Sequence, residues 1–244
     1  FFMNANQWQV FCQFRQDFKN QCEIWQSKFA TELAPLQKNA ALTDTPDYPI
    51  ENPIVYNTAL DKITPKDDIR LIVIGDNPGK AEQLSCNKQY LVGQSGKIAQ
   101  SFFAKNIELG IDFRKNVIIL NKTPVHTAKT NHLKYLIRNG SESLRNLIEE
   151  SQIWMAQKTA ELHQNLLQES ECPLWLVGYA ELKGKGLFIK YRDVLMDNYK
   201  DAKAWEKVFV FQHFSMNRFL IDLKNQLIKP TLNAESTNVD TALR

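Results

Sequence analysis

The chain lacks the sequence devices that most directly announce a metal, a nucleotide or a membrane. Its 244 residues hold four cysteines, Cys12, Cys22, Cys86 and Cys172, with no Cys-x-x-Cys pair and no other ligand rhythm. Structural zinc and iron–sulfur clusters need closely spaced thiolates, so this scatter speaks against both and for a reduced, intracellular setting. Neither Gly-x-x-x-x-Gly-Lys-Ser/Thr nor Gly-x-Gly-x-x-Gly follows an apolar run, which removes the two common phosphate-cradling loops. No apolar run is long enough to cross a bilayer and no leader pattern opens the chain, so neither an anchor nor a signal peptide is expected. A large excess of one charge is missing too: 30 Lys and Arg face 27 Asp and Glu, a formal charge of +3. That balance tolerates a polyanionic partner, but only local clustering of the cations argues for one.

What is present is the patterning of an α/β protein. With 43% hydrophobic and 23% charged residues over 244 positions, the chain can bury the core of one fairly large domain. Short apolar runs at 71–74, 116–121, 174–177 and 208–211, rich in Val, Ile and Leu and bounded by polar or turn residues, read as buried strands. Between them, three- and four-residue spacing marks helices at about 93–106, with Ser95 as a cap and Ile98, Phe102 and Phe103 inward, and at 141–170. A further helix at 181–198 is broken near Gly184 and Gly186, and a last one covers about 217–227. Strand and helix in alternation predict a three-layer α/β/α fold around a central, mainly parallel four-stranded sheet.

The first forty residues are different. Trp8, Phe11, Phe14, Phe18, Cys22, Trp25, Phe29, Leu33 and Leu36 recur at helical spacing, the mark of a long amphipathic helix with an aromatic face. Packing against the main domain is the first reading of that face; a docking surface for a protein partner, or a platform for bases, is the other. The chain therefore divides into an N-terminal helix at 1–42, an α/β domain at 43–228 and a polar, mobile tail at 229–244. Within the second unit, 43–53 reads as an irregular connector and 48–57 as a segment lying across the sheet edge.

Three strand ends carry the chemistry. The first breaks on Gly75-Asp76-Asn77-Pro78-Gly79, where glycine lets the backbone approach a ligand and Asn77 offers side-chain oxygen and nitrogen. The second ends on Asn121 within Asn121-Lys122-Thr123-Pro124, and the third on His213-Phe214-Ser215. Each is an ordinary turn or rim taken alone. If the strands are parallel neighbours, however, Asn77, Asn121 and His213 meet at the carboxyl edge of the sheet, where open α/β sheets bind ligands. Lys80, Lys88, Lys97, Lys122, Lys129 and Lys134 lie near the first two of these ends, which fits either a locally positive face or an ordinary solvated surface.

This ordered set resembles the uracil-DNA glycosylase superfamily, in which a Gly-x-(Asp/Asn/Ala)-Pro-(Tyr/Gly) motif, a strand ending in Asn and a late His-Pro-Ser motif recur. The Asn-Pro-Gly form is similar to the mismatch-specific and single-strand-selective branches, and Asn121-Lys122-Thr123-Pro124 to the latter. Leu91-Val92-Gly93-Gln94-Ser95-Gly96 resembles a segment of the iron–sulfur branch, whose cysteines are missing here. The resemblance spans about 68–225 and implies hydrolysis of the bond between uracil, or a related deaminated base, and deoxyribose in single- or double-stranded DNA, with no metal or other cofactor. It implies that His213 stabilises the departing base, Asn77 orients water, and Asn121 reads the pyrimidine edge. It further implies a stacking position at Leu91 or, with a shifted loop, Tyr90. Gly79, Lys80 and Ser215 would hold flanking phosphates, while Met216, Asn217 and Arg218, with Phe214, would face the duplex. Asp76 is assigned to solvent or structural duty. Three departures stand out: Asn77 where the fastest relatives carry Asp, Leu91 in place of a ring, and Phe214 in place of Pro. They leave a noncatalytic nucleic-acid- or nucleotide-binding protein of the same fold as the alternative.

Overall fold

Strand ends decide where this protein's polar side chains gather, so the register of its sheet comes first. The computed structural model describes residues 1–167, 170–199 and 202–214. Four strands, β1 (Leu71–Gly75), β2 (Val117–Asn121), β3 (Leu174–Val177) and β4 (Val208–Phe211), form one all-parallel sheet in the order β2-β1-β3-β4. Every residue of the first three is buried, which is why they are continuous apolar runs rather than alternating ones. Gly75 is the register partner of Asn121, Ile74 of Leu176, and Val177 of Phe211. The four carboxyl ends are therefore level, and the residues just after them share one edge.

Helices complete a three-layer α/β/α arrangement. They are α1 (Ala5–Ala41), α2 (Gln94–Lys105), α3 (Leu133–Asn139), α4 (Glu142–Leu167), α5 (Ile189–Asn198) and the single turn α6 (Ala202–Trp205). On α2, Phe103 stacks on Phe113 and on Trp175 of β3, with ring centroids 5.5 and 5.7 Å apart. Ile98 is only half-buried, and Ala99 takes the inward position beside Phe102 and Phe103. Ser95 does not cap this helix: Gly93 occupies the cap position without a side-chain hydrogen bond. The expected break before α5 is present, with a short turn at Tyr179–Leu182 preceding it.

The 37-residue α1 is roughly 55 Å long at 1.5 Å per residue. It starts on a reciprocal cap in which Asn4 and Gln7 each satisfy the other's backbone N–H. Its aromatic face is inside the protein: Phe11, Phe14, Phe18 and Trp25 are buried, and Trp154 of α4 stacks on Phe18 at 5.8 Å and meets Trp25 edge-on at 6.0 Å. Those four rings therefore pack inside the protein, while Trp8, Phe29 and Leu36 of the same face are only half-buried. Near its far end, buried Gln37 donates to the carbonyls of Pro53 and His126 at 2.9 and 2.7 Å, tying α1 to the loop after β2. The 48–57 segment lies beside the edge strand as expected, through an Ile54–Val125 bridge and an Asn57 hydrogen bond to the Ile119 carbonyl at 2.8 Å. None of the described helices is long and apolar enough to cross a membrane.

Candidate active site at the carboxyl edge of the sheet

A cleft of about 320 Å³ opens where β1, β2 and β4 end, and Asn77, Asn121 and His213 all line it. That volume is in the range of small-ligand pockets. The convergence follows from the level strand ends: Asp76 and Asn77 follow β1, Asn121 closes β2 and His213 lies two residues beyond β4.

Asn77 is oriented by its nitrogen. The Nδ2 group donates to Thr127 Oγ1 at 2.8 Å and to the Val125 carbonyl at 3.1 Å. A carbonyl accepts only from a donor, so this pairing fixes which end of the amide is which and leaves Oδ1 to act in the cleft. Asn121 is the reverse case. It is 1% exposed, and its Nδ2 has no hydrogen-bond partner among the described residues. A buried donor left unpaired costs about 1–3 kcal/mol, which a ligand acceptor would recover. Gly75 makes room for it, because a Cβ at that position would come within 2.5 Å of Asn121 Oδ1. Desolvation lowers the pKa of His213, with Asp76 opposing and Lys122 adding to the effect, so its imidazole is neutral near pH 7.

Beneath this edge lies an ion pair that the lysine count misread. Lys122 is completely buried, its Nζ donating to Asp76 Oδ1 at 2.6 Å and to the Val177 carbonyl at 2.5 Å, 5.1 Å from the Phe188 ring centroid. The ammonium joins the ends of β1, β2 and β3 and contributes nothing to a positive face. Asp76 accordingly has the structural duty expected of it, but at the cleft wall rather than in solvent. Lys80, Lys97, Lys129 and Lys134 do lie at the surface, and Lys129, on the cleft rim, is paired with Asp44 at 2.7 Å.

The residues around the cleft correct three expectations. Leu91 lines the cleft with its backbone at φ +53°, a left-handed conformation that costs a side-chain-bearing residue about 1 kcal/mol. Tyr90 is fully buried and donates its hydroxyl to the Val55 carbonyl at 2.6 Å, so its ring is held away from the cleft. The Gly79 N–H, expected to bind phosphate, instead donates to Glu82 Oε2 at 3.1 Å. Phe214 is 1% exposed and meets Phe113 edge-on, packing into the core rather than standing as a wedge. Ser215, Met216, Asn217 and Arg218, the 217–227 helix and the 229–244 tail lie outside the described residues.

Comparison of the chain with family models, with curated proteins and with solved structures gives no match. Functional meaning must therefore come from the cleft itself. Besides the residues expected there, it is lined by Glu82, Ser95, Thr127, Ala128 and Thr130. Glu82 is 6% exposed, and burial pushes its carboxyl up to about 7 against the stabilising backbone amides of Gly79, Leu91 and Gly93. A Glu in a polar loop carries no sequence signal of that burial.

Proposed function

We propose that this protein is a DNA glycosylase that hydrolyses the N-glycosidic bond of uracil or a related deaminated base. The observation that carries the reading is the buried, unpartnered Nδ2 of Asn121 on a cleft shared with an oriented Asn77 and a neutral His213. An amide offering one donor and one acceptor matches the O4 and N3–H edge of uracil and misaligns with cytosine, whose polarity there is reversed. That edge is hidden in a duplex, so the nucleotide enters flipped or from a single strand.

In the reaction, water adds to C1′ as the C1′–N1 bond breaks and the bonding pair leaves with the base. The sugar passes through a cationic, oxocarbenium-like state while charge collects on the base, chiefly at O2 and N1. A neutral His213 N–H directed at O2 meets that charge as it forms, an interaction that contributes roughly 3–4 kcal/mol in comparable oxyanion sites. Asn77 Oδ1 orients the attacking water. An amide does not take up the water's proton, which passes to solvent, and turnover is correspondingly slow.

The test is incubation with uracil-containing single- and double-stranded oligonucleotides, followed by alkali to reveal abasic sites. Strand breaks at uracil that require His213 are expected. No breaks at enzyme in large excess over substrate would overturn the reading, and tight binding without breaks would select the noncatalytic alternative.

A further inference from the structure

We propose that Thr127 is a positioning residue that sets the Asn77 amide for its task, offering only lone pairs to position 77 and so fitting that position to an amide rather than a carboxylate. The inference deepens the glycosylase reading and takes its substrate from it, whereas the hydrogen-bond pattern is a property of the fold. Thr127 stands 50 residues from Asn77, in the loop after β2, and lines the cleft at 2% exposure.

A threonine hydroxyl has one proton to give and two lone pairs to offer. Thr127 Oγ1 donates that proton to the Lys129 carbonyl at 2.8 Å, a partner able only to accept. Toward Asn77 it is left with a lone pair, and the amide meets it with Nδ2 at 2.8 Å. The Val125 carbonyl lies 3.1 Å from the same nitrogen, with the Pro78 carbonyl further off at 3.5 Å. Once the Thr127 proton is committed, none of these oxygens has a hydrogen to give. Turning the amide over would set Oδ1 against them, and a carboxylate at this position would meet them in either orientation.

The turn and the loop are joined from behind as well. The Pro78 carbonyl accepts the Thr127 N–H at 3.2 Å and the proton on His126 Nδ1 at 2.8 Å, while Gln37 of α1 holds the His126 carbonyl at 2.7 Å. At the rim, Asp44 Oδ2 meets Lys129 Nζ at 2.7 Å and His132 Nε2 at 3.2 Å, steadying the residue whose carbonyl takes the Thr127 proton. In the proposed reaction Oδ1 of Asn77 orients the attacking water. Without the Thr127 hydroxyl the amide is freer to turn, and for part of the time it presents nitrogen to that water. The rate at saturating substrate then suffers, while Asn121 and His213 still bind the base.

Thr127→Val, which keeps the shape without the hydroxyl, and Thr127→Ser, which keeps the hydroxyl, test this on the full chain. The Asn77 Nδ2 proton signals in nitrogen-15 NMR are assigned by their absence from Asn77→Ala. Their exchange with water should be about fivefold faster or more in Thr127→Val and within about twofold of the parent in Thr127→Ser. Uracil excision by Thr127→Val should fall about tenfold or more in kcat with KM within about threefold, and Thr127→Ser should bring it back to within about threefold. Made in Asn77→Ala, the same Thr127→Val change should cost less than about threefold, because its effect passes through Asn77. Asn77→Asp, with Thr127 in place, should excise about tenfold more slowly than the parent. Unchanged exchange in Thr127→Val overturns the hydrogen-bond pattern. Faster exchange with undiminished excision, an equal loss in the Asn77→Ala background, or failure of serine to restore the rate overturns the positioning role. An Asn77→Asp protein within about threefold of the parent, or faster, overturns the fit to an amide, and this arm decides even where Thr127→Val does not fold. Absence of excision in the unmutated protein overturns the glycosylase reading alone, and exchange still decides the Thr127 contact.

Discussion

The seam between α1 and α4 and the floor of the cleft are built on opposite principles. Along the seam, Phe11, Phe14, Phe18 and Trp25 meet Trp154 in an apolar layer with offset and edge-on rings. At the cleft floor the buried groups are a lysine, an aspartate and an amide nitrogen without a partner among the described residues, beside a leucine in a left-handed conformation. The first region gains free energy from burial; the second spends it on groups that are costly to keep dry. Where a fold tolerates such costs together, in a cavity, the usual reason is a ligand.

Breaking the contrast begins with the ion pair. Lys122→Met strands the Asp76 carboxylate, and a loss of about 3–5 kcal/mol is expected by urea denaturation, whereas Lys122→Met with Asp76→Leu should recover most of it. Phe18→Ala should cost a similar amount, about 3–5 kcal/mol, yet leave excision per folded molecule unchanged, since Phe18 is in the seam. His213→Ala reverses that signature: excision should drop about 10²–10³-fold in single-turnover assays with stability within about 1 kcal/mol of the parent.

A subtler variant sharpens the comparison. Asn121→Leu removes a donor that has no partner among the described residues, so the folded state should be as stable or up to about 1 kcal/mol more stable, while selection of uracil over cytosine disappears. A loss of more than about 2 kcal/mol would mean that the amide is structural and not held in reserve for a ligand.

Acid acts through several buried groups at once. His126 and His163 are pushed down to about 4 by burial, so between pH 6.5 and 4 the unfolded chain binds more protons and stability falls as pH falls. Glu82, raised to about 7, works the other way: between pH 7 and 4.5 the folded state binds more protons and stability rises as pH falls. Two histidines against one carboxyl give a net decline below pH 6.5. In urea midpoints, Glu82→Gln should make that decline steeper and flatten the curve between pH 6.5 and 7.5.

Much of the architecture was legible because burial on both faces turns each strand into a run of Val, Ile and Leu, as at Leu71–Gly75 and Val117–Asn121. The aromatic helix was legible for the same reason, its period being set by which face meets Trp154. Asn77, Asn121 and His213 could be picked out as polar residues directly after such runs. Glu82 and Lys122 could not be, because a charged residue in a polar stretch looks solvated until its neighbours are known. Tyr90 and Leu91 are not told apart by sequence, since adjacent residues differ in direction by local backbone angle, and the Leu91 backbone is held by Arg114 and packed against Gly96.

By itself, then, the order of residues determined the strands, the helices and the short list of side chains able to do chemistry, since these follow from local periodicity and turn preference. Tertiary structure alone decided that three of those side chains share one cleft, that Lys122 is buried beneath it and that Glu82 is buried in its wall. Each depends on strands far apart in sequence ending level with one another, and that register is a property of the packed sheet rather than of any segment within it.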